Sequence, residues 1–450
     1  MGIELEKAQG ISLEQIASFR KGLKDDGMRK LMMNAVRKNG IQKVAIDHDV
    51  VVASDLTFSH EIKTGAVTNQ KQSGRCWMFA GLNVLRERVA KNIGVEEFEL
   101  SQAYTFFYDK LEKANYFLES ILETLDEPRD GRLVAWLVTA PENDGGQWDM
   151  FVNLIDKYGI VPKSVMPETF HSSQSRGMVG LLHLKLREDA QTLREAHENG
   201  ASMSELRSRK EAMMGDIYRM LTIFLGEPPE SFDFEYRDKD KNFHADRGIT
   251  PQDFAKKYVD VNLDDYVSVI NAPTADKPYG RTFTVEYLGN VKGGRDVLYL
   301  NVDPETLRQV ALKQLMDGEV VWFGCDVGQM SDRESGIMND ALYDYEGVLG
   351  VPLTLDKAGR LDYGESLMTH AMVFTGVNVV DGRPNRWKVE NSWGDEPGKK
   401  GYFVMSDQWF DQYMYQVVVK KSYLSPELQK ALSEPPIKLP PWDPMGSLAR

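Results

Sequence analysis

The stretch Ser73-Gly74-Arg75-Cys76-Trp77-Met78-Phe79-Ala80 constrains the fold more than any other part of this 450-residue sequence. A turn-forming Ser-Gly pair hands the chain to an apolar stripe, Met78, Leu82, Leu85, Val89 and Ile93, stepping by four, three, four and four. That period is helical, and Gly94 supplies the stop. The helix therefore begins at a cysteine. A thiol there lies at the positive end of the helix macrodipole, which favours the thiolate.

Other elements can be placed with the same rules. Leu100-Ser101-Gln102-Ala103-Tyr104 opens a helix with Ser101 as its N-cap. Leu184 to Ala196 reads as a helix stopping near Gly200. Ser202 and Glu205 then have capping-box spacing ahead of Met213, Ile217, Met220 and Phe224, and Gly226 with Pro228-Pro229 ends that helix. Phe232 to Tyr236 alternates like a strand, and Thr250-Pro251 starts a further helix. The C-terminal half turns to strands: Val320–Cys325, His370–Val377 and Arg386–Trp393, with Asp381-Gly382 as a hairpin signal, then Tyr402–Met405 and Val417–Val419.

Three side chains in this frame carry chemistry. Cys76 is followed far downstream by His370 in Thr369-His370-Ala371-Met372, and then by Asn391 in Glu390-Asn391-Ser392-Trp393-Gly394. Cysteine, histidine and asparagine are the parts of a thiol acyl-transfer site. Taken singly, a cysteine on an apolar helix is core filler and a histidine on an apolar strand is a satisfied core residue. Cys325 is that case: it sits in an apolar strand with no polar turn before it.

The Gln-x5-Cys-Trp helix start, the His-Ala element and the Asn-Ser-Trp-Gly element resemble the papain family of cysteine peptidases. His370 lies 294 residues after Cys76, far beyond the roughly 130–150 of simple papain-like enzymes, so a large insertion separates the two catalytic halves. The long form, together with the ending Pro440-Pro441-Trp442-Asp443-Pro444-Met445-Gly446-Ser447-Leu448-Ala449-Arg450, resembles the bleomycin hydrolase and aminopeptidase C family nearly end to end.

That resemblance implies an α+β, papain-like fold: a helical half, an antiparallel β-barrel-like half, a large helical insertion and an extended C-terminal arm. The expected organisation is residues 1–60 as an N-terminal arm wrapping the catalytic body and 61–172 as the helical half with the nucleophile helix. Residues 173–265 form the mainly helical insertion, 266–433 the β-rich half carrying His370 and Asn391, and 434–450 an arm entering the active-site cleft. In chemical terms Cys76 is the expected nucleophile, and pairing with imidazole lowers the thiol pKa, to roughly 3–4 in papain. His370 is the acid–base partner and Asn391 the residue that orients its ring. Gln70, six residues before the nucleophile, is the oxyanion-hole donor. Gly145 and Gly146 are expected to hold the substrate backbone, and Trp393 to shield the His370–Asn391 hydrogen bond.

The resemblance also implies that the arm blocks the cleft and presents the chain's terminal carboxylate to the substrate's amino group. Arg450 is the encoded end; we expect the enzyme to trim it, leaving Ala449 in that role. The implied activity is that of a thiol aminopeptidase acting on peptides with a free amino terminus, assembled as a homohexamer, with no metal or organic cofactor. A papain-like endopeptidase with a displaced arm is the alternative, and a catalytically inactive binding protein is a more distant one.

Composition bounds this reading. The net charge of −14 argues against a nucleic-acid surface, and no run of eighteen apolar residues suggests a membrane span. The start Met1-Gly2-Ile3-Glu4-Leu5-Glu6 has neither the basic-then-apolar pattern of a secretory signal nor a myristoylation pattern. Only two cysteines occur, so if Cys76 is the nucleophile no disulfide can form within the chain, and a reducing cytoplasm is the expected location.

Overall fold

The computed structural model describes residues 10–21 and 27–448. It divides into two compact units, Met1–Val51 with Ala341–Thr354, and Val52–Asp340 with Leu355–Arg450. In the first unit, helices Leu13–Lys21, Gly27–Asn39 and Ile41–Ala45 lead to Ile46, which bridges to Tyr343. All of the expected catalytic positions fall in the second.

The nucleophile helix runs Cys76–Ile93, and Gly94 ends it in the left-handed conformation at φ 67°. All five stripe residues are buried, each contributing roughly 1.5–3 kcal/mol relative to exposure. The helix Gln102–Glu123 is capped by the Ser101 hydroxyl, which accepts from the Tyr104 N–H. Two long helices, Arg176–Glu198 and Met203–Leu225, follow, the second opened by the Ser202–Glu205 capping box in both directions. The antiparallel ribbon Phe232–Arg237 with Phe243–Ile249 then returns the chain to the body.

A twelve-stranded mixed sheet, mainly antiparallel, makes the other half. Its centre is Met414–Lys420, Val321–Cys325, His370–Val380, Arg383–Glu390 and Tyr402–Ser406, in that spatial order. Strand alternation divides two cores. Trp322, Ala371 and Val373 face the helical half. Phe323, Met372, Phe374, Trp387 and Val389 pack on the opposite side with the helix Pro304–Met316. The hairpin between His370–Val380 and Arg383–Glu390 turns at Asp381 and Gly382, both with positive φ (51° and 79°), as a two-residue primed turn requires. The strand expected to reach Trp393 stops at Glu390. Asn391 and Ser392 leave the sheet because their neighbourhood is instead tied to Thr68 and Gln70.

The tail is more structured than a stiff extended end. Ile437–Leu439 adds a parallel edge strand to Arg281–Val285, and Pro444–Gly446 forms a single 3-10 turn. Among the described residues no helix is long and apolar enough to cross a membrane.

Candidate active site

Two distant pieces of chain are stitched together first. Residues Thr68–Gln70 run beside Ser392–Gly394: the Gln70 N–H donates to the Ser392 carbonyl (2.8 Å) and the Gly394 N–H to the Thr68 carbonyl (3.0 Å). This brings the turn before the nucleophile helix to the end of the strand preceding Asn391.

The turn itself is cross-braced. The Gln70 side-chain N–H donates to the Ser73 carbonyl (2.7 Å), and the Ser73 hydroxyl donates back to the Gln70 carbonyl (2.7 Å). Arg75, fully buried, donates from Nε to the Ser73 hydroxyl (2.8 Å) and grips Glu168 with both terminal nitrogens (3.0 and 2.7 Å). Gln70 Nε2 keeps a second N–H beyond the one given to Ser73.

Cys76 is the first residue of its helix, so its N–H has no intrahelical acceptor. The side chain is fully buried, with its sulfur against the backbone N–H of Ala371, the neighbour of His370. Asn391 Oδ1 accepts from the Ser392 N–H (2.7 Å) and faces His370 Nε2 at 2.9 Å. An oxygen can only accept, so Nε2 carries the proton and Nδ1 is the ring's free base. Trp393 lies over the imidazole with ring centroids 4.8 Å apart, and its own ring carries the Arg333 guanidinium at 4.6 Å.

Burial opposes the thiol shift expected from the sequence. It pushes the Cys76 pKa up to about 12, against the pull of the Ala371, Trp77 and Cys76 backbone N–H groups. Burial likewise pushes His370 down to about 4, against the Asn391 hydrogen bond, with Arg333 adding to the fall. Burial thus disfavours the charged form of each group taken singly, an opposition that charging the two together, by passing the thiol proton to the imidazole, would relieve. Cys325 is also buried, at the end of its strand opposite His370; burial and the Asp326 carboxylate raise its pKa well above the ordinary thiol value.

The loop Asn143–Gly146 is fixed from below. Lys113 Nζ donates to the Asn143 and Gly145 carbonyls (2.9 and 2.6 Å) and pairs with Asp109. Asp144 takes Lys110 (2.7 Å), the Ser175 hydroxyl and the Gly74 N–H (3.1 Å), while its carbonyl accepts from the Trp77 indole (2.7 Å). Burial alone would raise the Asp144 pKa, but the Lys110 ammonium and these donors hold it far below the usual carboxylate range. The glycine loop and the Cys76 turn are thus one bonded assembly. Gly146 has a packing reason to be glycine: a Cβ there would lie 2.4 Å from the Trp77 ring.

The C-terminal segment ends its described course at this loop. Gln147 Nε2 donates to the Ser447 carbonyl (2.8 Å), and the Ser447 hydroxyl donates to the Met368 carbonyl (2.9 Å), two residues before His370. Ala449 and Arg450 lie outside the described residues. The sequence reading missed Arg75, Lys113, Asp144, Gln147 and Ser447. The available hints were a charged residue between Gly74 and the cysteine, and Asp109, Lys110 and Lys113 crowded on one apolar helix.

A helix-borne thiol against a histidine strand, with an asparagine on the imidazole, is the layout of a papain-like cysteine peptidase. The match goes further than the class. The Peptidase C1-like family matches residues 10–446. The chain is 52% identical over 440 residues to Aminopeptidase C of Listeria innocua serovar 6a, covering 98% of this chain and 99% of that one. It is 43% identical to bleomycin hydrolase of Rattus norvegicus, covering 98% and 99%. A crystal structure of pepw from Lactobacillus rhamnosis hn001 superposes with a TM-score of 0.96 at 56% identity, covering 98% and 99%. The chain belongs to the Peptidase C1-like family, and it is a cysteine-type aminopeptidase.

Proposed function

We propose that this aminopeptidase removes residues from the free amino end of peptides by acyl-enzyme chemistry at Cys76, with the C-terminal arm limiting the cleft to exopeptidase action. His370 Nδ1 takes the thiol proton as the sulfur attacks the scissile carbonyl. Gln70 Nε2–H and the Cys76 N–H receive the developing oxyanion. The imidazolium then protonates the leaving amine, and a water attacks the thioester with His370 again as base. Asn391 holds the ring in the tautomer that leaves Nδ1 basic, and Trp393 covers that hydrogen bond. Gly145 and Gly146 form the wall along which the substrate backbone lies.

The observation that carries the exopeptidase reading is Ser447, gripped by Gln147 on the glycine loop and by Met368 just before His370. An arm seated there occupies the side of the cleft that a longer amino-terminal extension would need. Deleting residues 447–450 and comparing a leucine anilide with its amino-acetylated counterpart tests this: the deletion is expected to cleave the blocked compound. A truncated enzyme that still rejects it defeats the reading.

Two further parts of the proposal concern location, argued from the cysteines, and assembly, which the family resemblance implies. The two cysteines are both free and buried, which suits a reducing cytoplasm. A homohexamer with inward-facing sites would restrict substrates to short or unfolded peptides, and light scattering that returns a smaller assembly removes that restriction.

A further inference from the structure

Ahead of the Ser447 clamp, the holds on the arm between Ile437 and Leu448 include three that differ in kind. The first is the three-residue parallel strand on Arg281–Val285. The second is the Arg132 guanidinium stacked 3.7 Å above the Trp442 ring, which is 39% exposed. The third is an ion pair, Lys277 Nζ to Asp443 Oδ2 at 2.8 Å, with side chains only 3% and 6% exposed.

We propose that the Lys277–Asp443 pair is the latch that sets the register of the arm and thereby the preference for a free amino terminus. The inference rests on the exopeptidase reading above and names the contact that enforces it.

The lysine side of the latch is rigid. Asn301 Nδ2 donates to the Lys277 carbonyl (2.7 Å) and the Ala272 carbonyl (3.0 Å), and the Lys277 N–H closes a turn onto Thr274 (3.1 Å). Burial works against the ammonium, but the Asp443 and Asp276 carboxylates outweigh it and raise its pKa. Asp276 is itself 59% exposed and lies on the same turn as the lysine, at 2.9 Å. When Asp443 departs, Lys277 therefore keeps a counter-ion. The latch can open without stranding a buried charge.

The aspartate side fixes direction as well as place. While Oδ2 meets Lys277, Oδ1 accepts the Met445 N–H (2.8 Å) and so starts the turn Pro444–Gly446. Tyr299 then donates to the Met445 carbonyl (3.1 Å), and the next link is Ser447 in its clamp. A slip of one residue at Asp443 would move Ser447 by roughly 3.3 Å, enough to break both of its hydrogen bonds. The strand and the Trp442 contact alone leave that register unspecified, because backbone pairing over three residues is compatible with a shifted partner.

The test uses full-length enzyme with Asp443→Asn, which keeps an acceptor for Met445 but removes the charge, and with Lys277→Met and Lys277→Arg. The readout is the ratio of kcat/KM on the amino-acetylated leucine anilide to that on the free anilide. Losing this charge-assisted contact is expected to raise the ratio by about tenfold or more in Asp443→Asn and Lys277→Met, with KM for the free substrate rising more than kcat falls. Lys277→Arg, which keeps the charge, is expected to raise the ratio less than Lys277→Met does. Unchanged ratios in both variants, alongside a raised ratio in the 447–450 deletion, overturn the latch and leave the arm reading intact. An unchanged ratio in the deletion as well takes the arm reading down with it. Failure of Asp443→Asn to fold also overturns the proposal, since a latch on an added arm is dispensable to the core.

Discussion

The turn Gln70–Cys76 and the arm Ile437–Leu448 meet the same cleft but are held in opposite ways. The turn is over-determined: Arg75 with Glu168, Asp144 with Lys110, reciprocal Gln70–Ser73 bonds and pairing to Ser392 all fix one short stretch. The arm is held by contacts spread along its length: one short strand, one stacked tryptophan, one ion pair, the Tyr299–Met445 hydrogen bond and the two bonds of Ser447. On the proposed function, chemistry is built into the core, whereas the choice between free and blocked substrates hangs on a peripheral segment. Changes at the turn should alter kcat for every substrate; changes at the arm should alter which substrate is taken.

The strongest way to break that separation is Gln70→Ala. Losing an oxyanion donor is expected to cost about 10²–10³ in kcat on free and blocked substrates alike. A variant that altered only the blocked-to-free ratio would put Gln70 on the specificity side.

The pH profile comes next. A protonated imidazole cannot accept the thiol proton, and burial places the His370 pKa at about 4. The kcat/KM acid limb is therefore expected near pH 4, falling about tenfold per unit below it, as a property of the Cys76–His370 pair. The same depressed pKa bears on stability. The unfolded chain binds the proton from about 6.5 downward and the folded one only near 4, so this group removes stability as the pH falls between those values. Melting followed across that window checks the sign.

Gly146→Ala tests how tightly the glycine loop and the nucleophile helix are joined. Its Cβ would collide with the Trp77 ring, so a loss of about 1–3 kcal/mol by denaturant unfolding is expected. A neutral result would mean that the loop yields independently of the turn. The smallest expected effect is that of Arg132→Ala, which removes the contact on half-exposed Trp442. A cation–π contact of this kind is worth about 0.5–1 kcal/mol. The blocked-to-free ratio should move by no more than about fivefold, and less than in the latch variants.

The same contrast governs what could be read from the sequence. The nucleophile helix, its Gly94 stop, the Ser202–Glu205 box and the Asp381-Gly382 hairpin were legible because each is local: a period, a cap or a turn within a few residues. Cys76, His370, Asn391 and Gln70 were legible through their flanking residues, and the structure gathers their segments at one place. Lys277 and Asp443 were not. They are 166 residues apart, carry no periodic signature, and become partners only once the arm has folded back. The role of Gly146 was also hidden, since its reason is the ring of Trp77, seen only in three dimensions. Helix position is visible in sequence, whereas the desolvation that pushes the Cys76 thiol pKa up is not.

The central claim is that Cys76, activated by His370, is the nucleophile. Its most direct measurement is peptide mapping by mass spectrometry after treatment with a thiol-directed epoxide, in the parent enzyme and in His370→Ala. The adduct is expected on Cys76 alone, in step with loss of activity, and strongly slowed when His370 is removed. An adduct on Cys325, or peptidase activity that survives full modification of Cys76, would contradict the account.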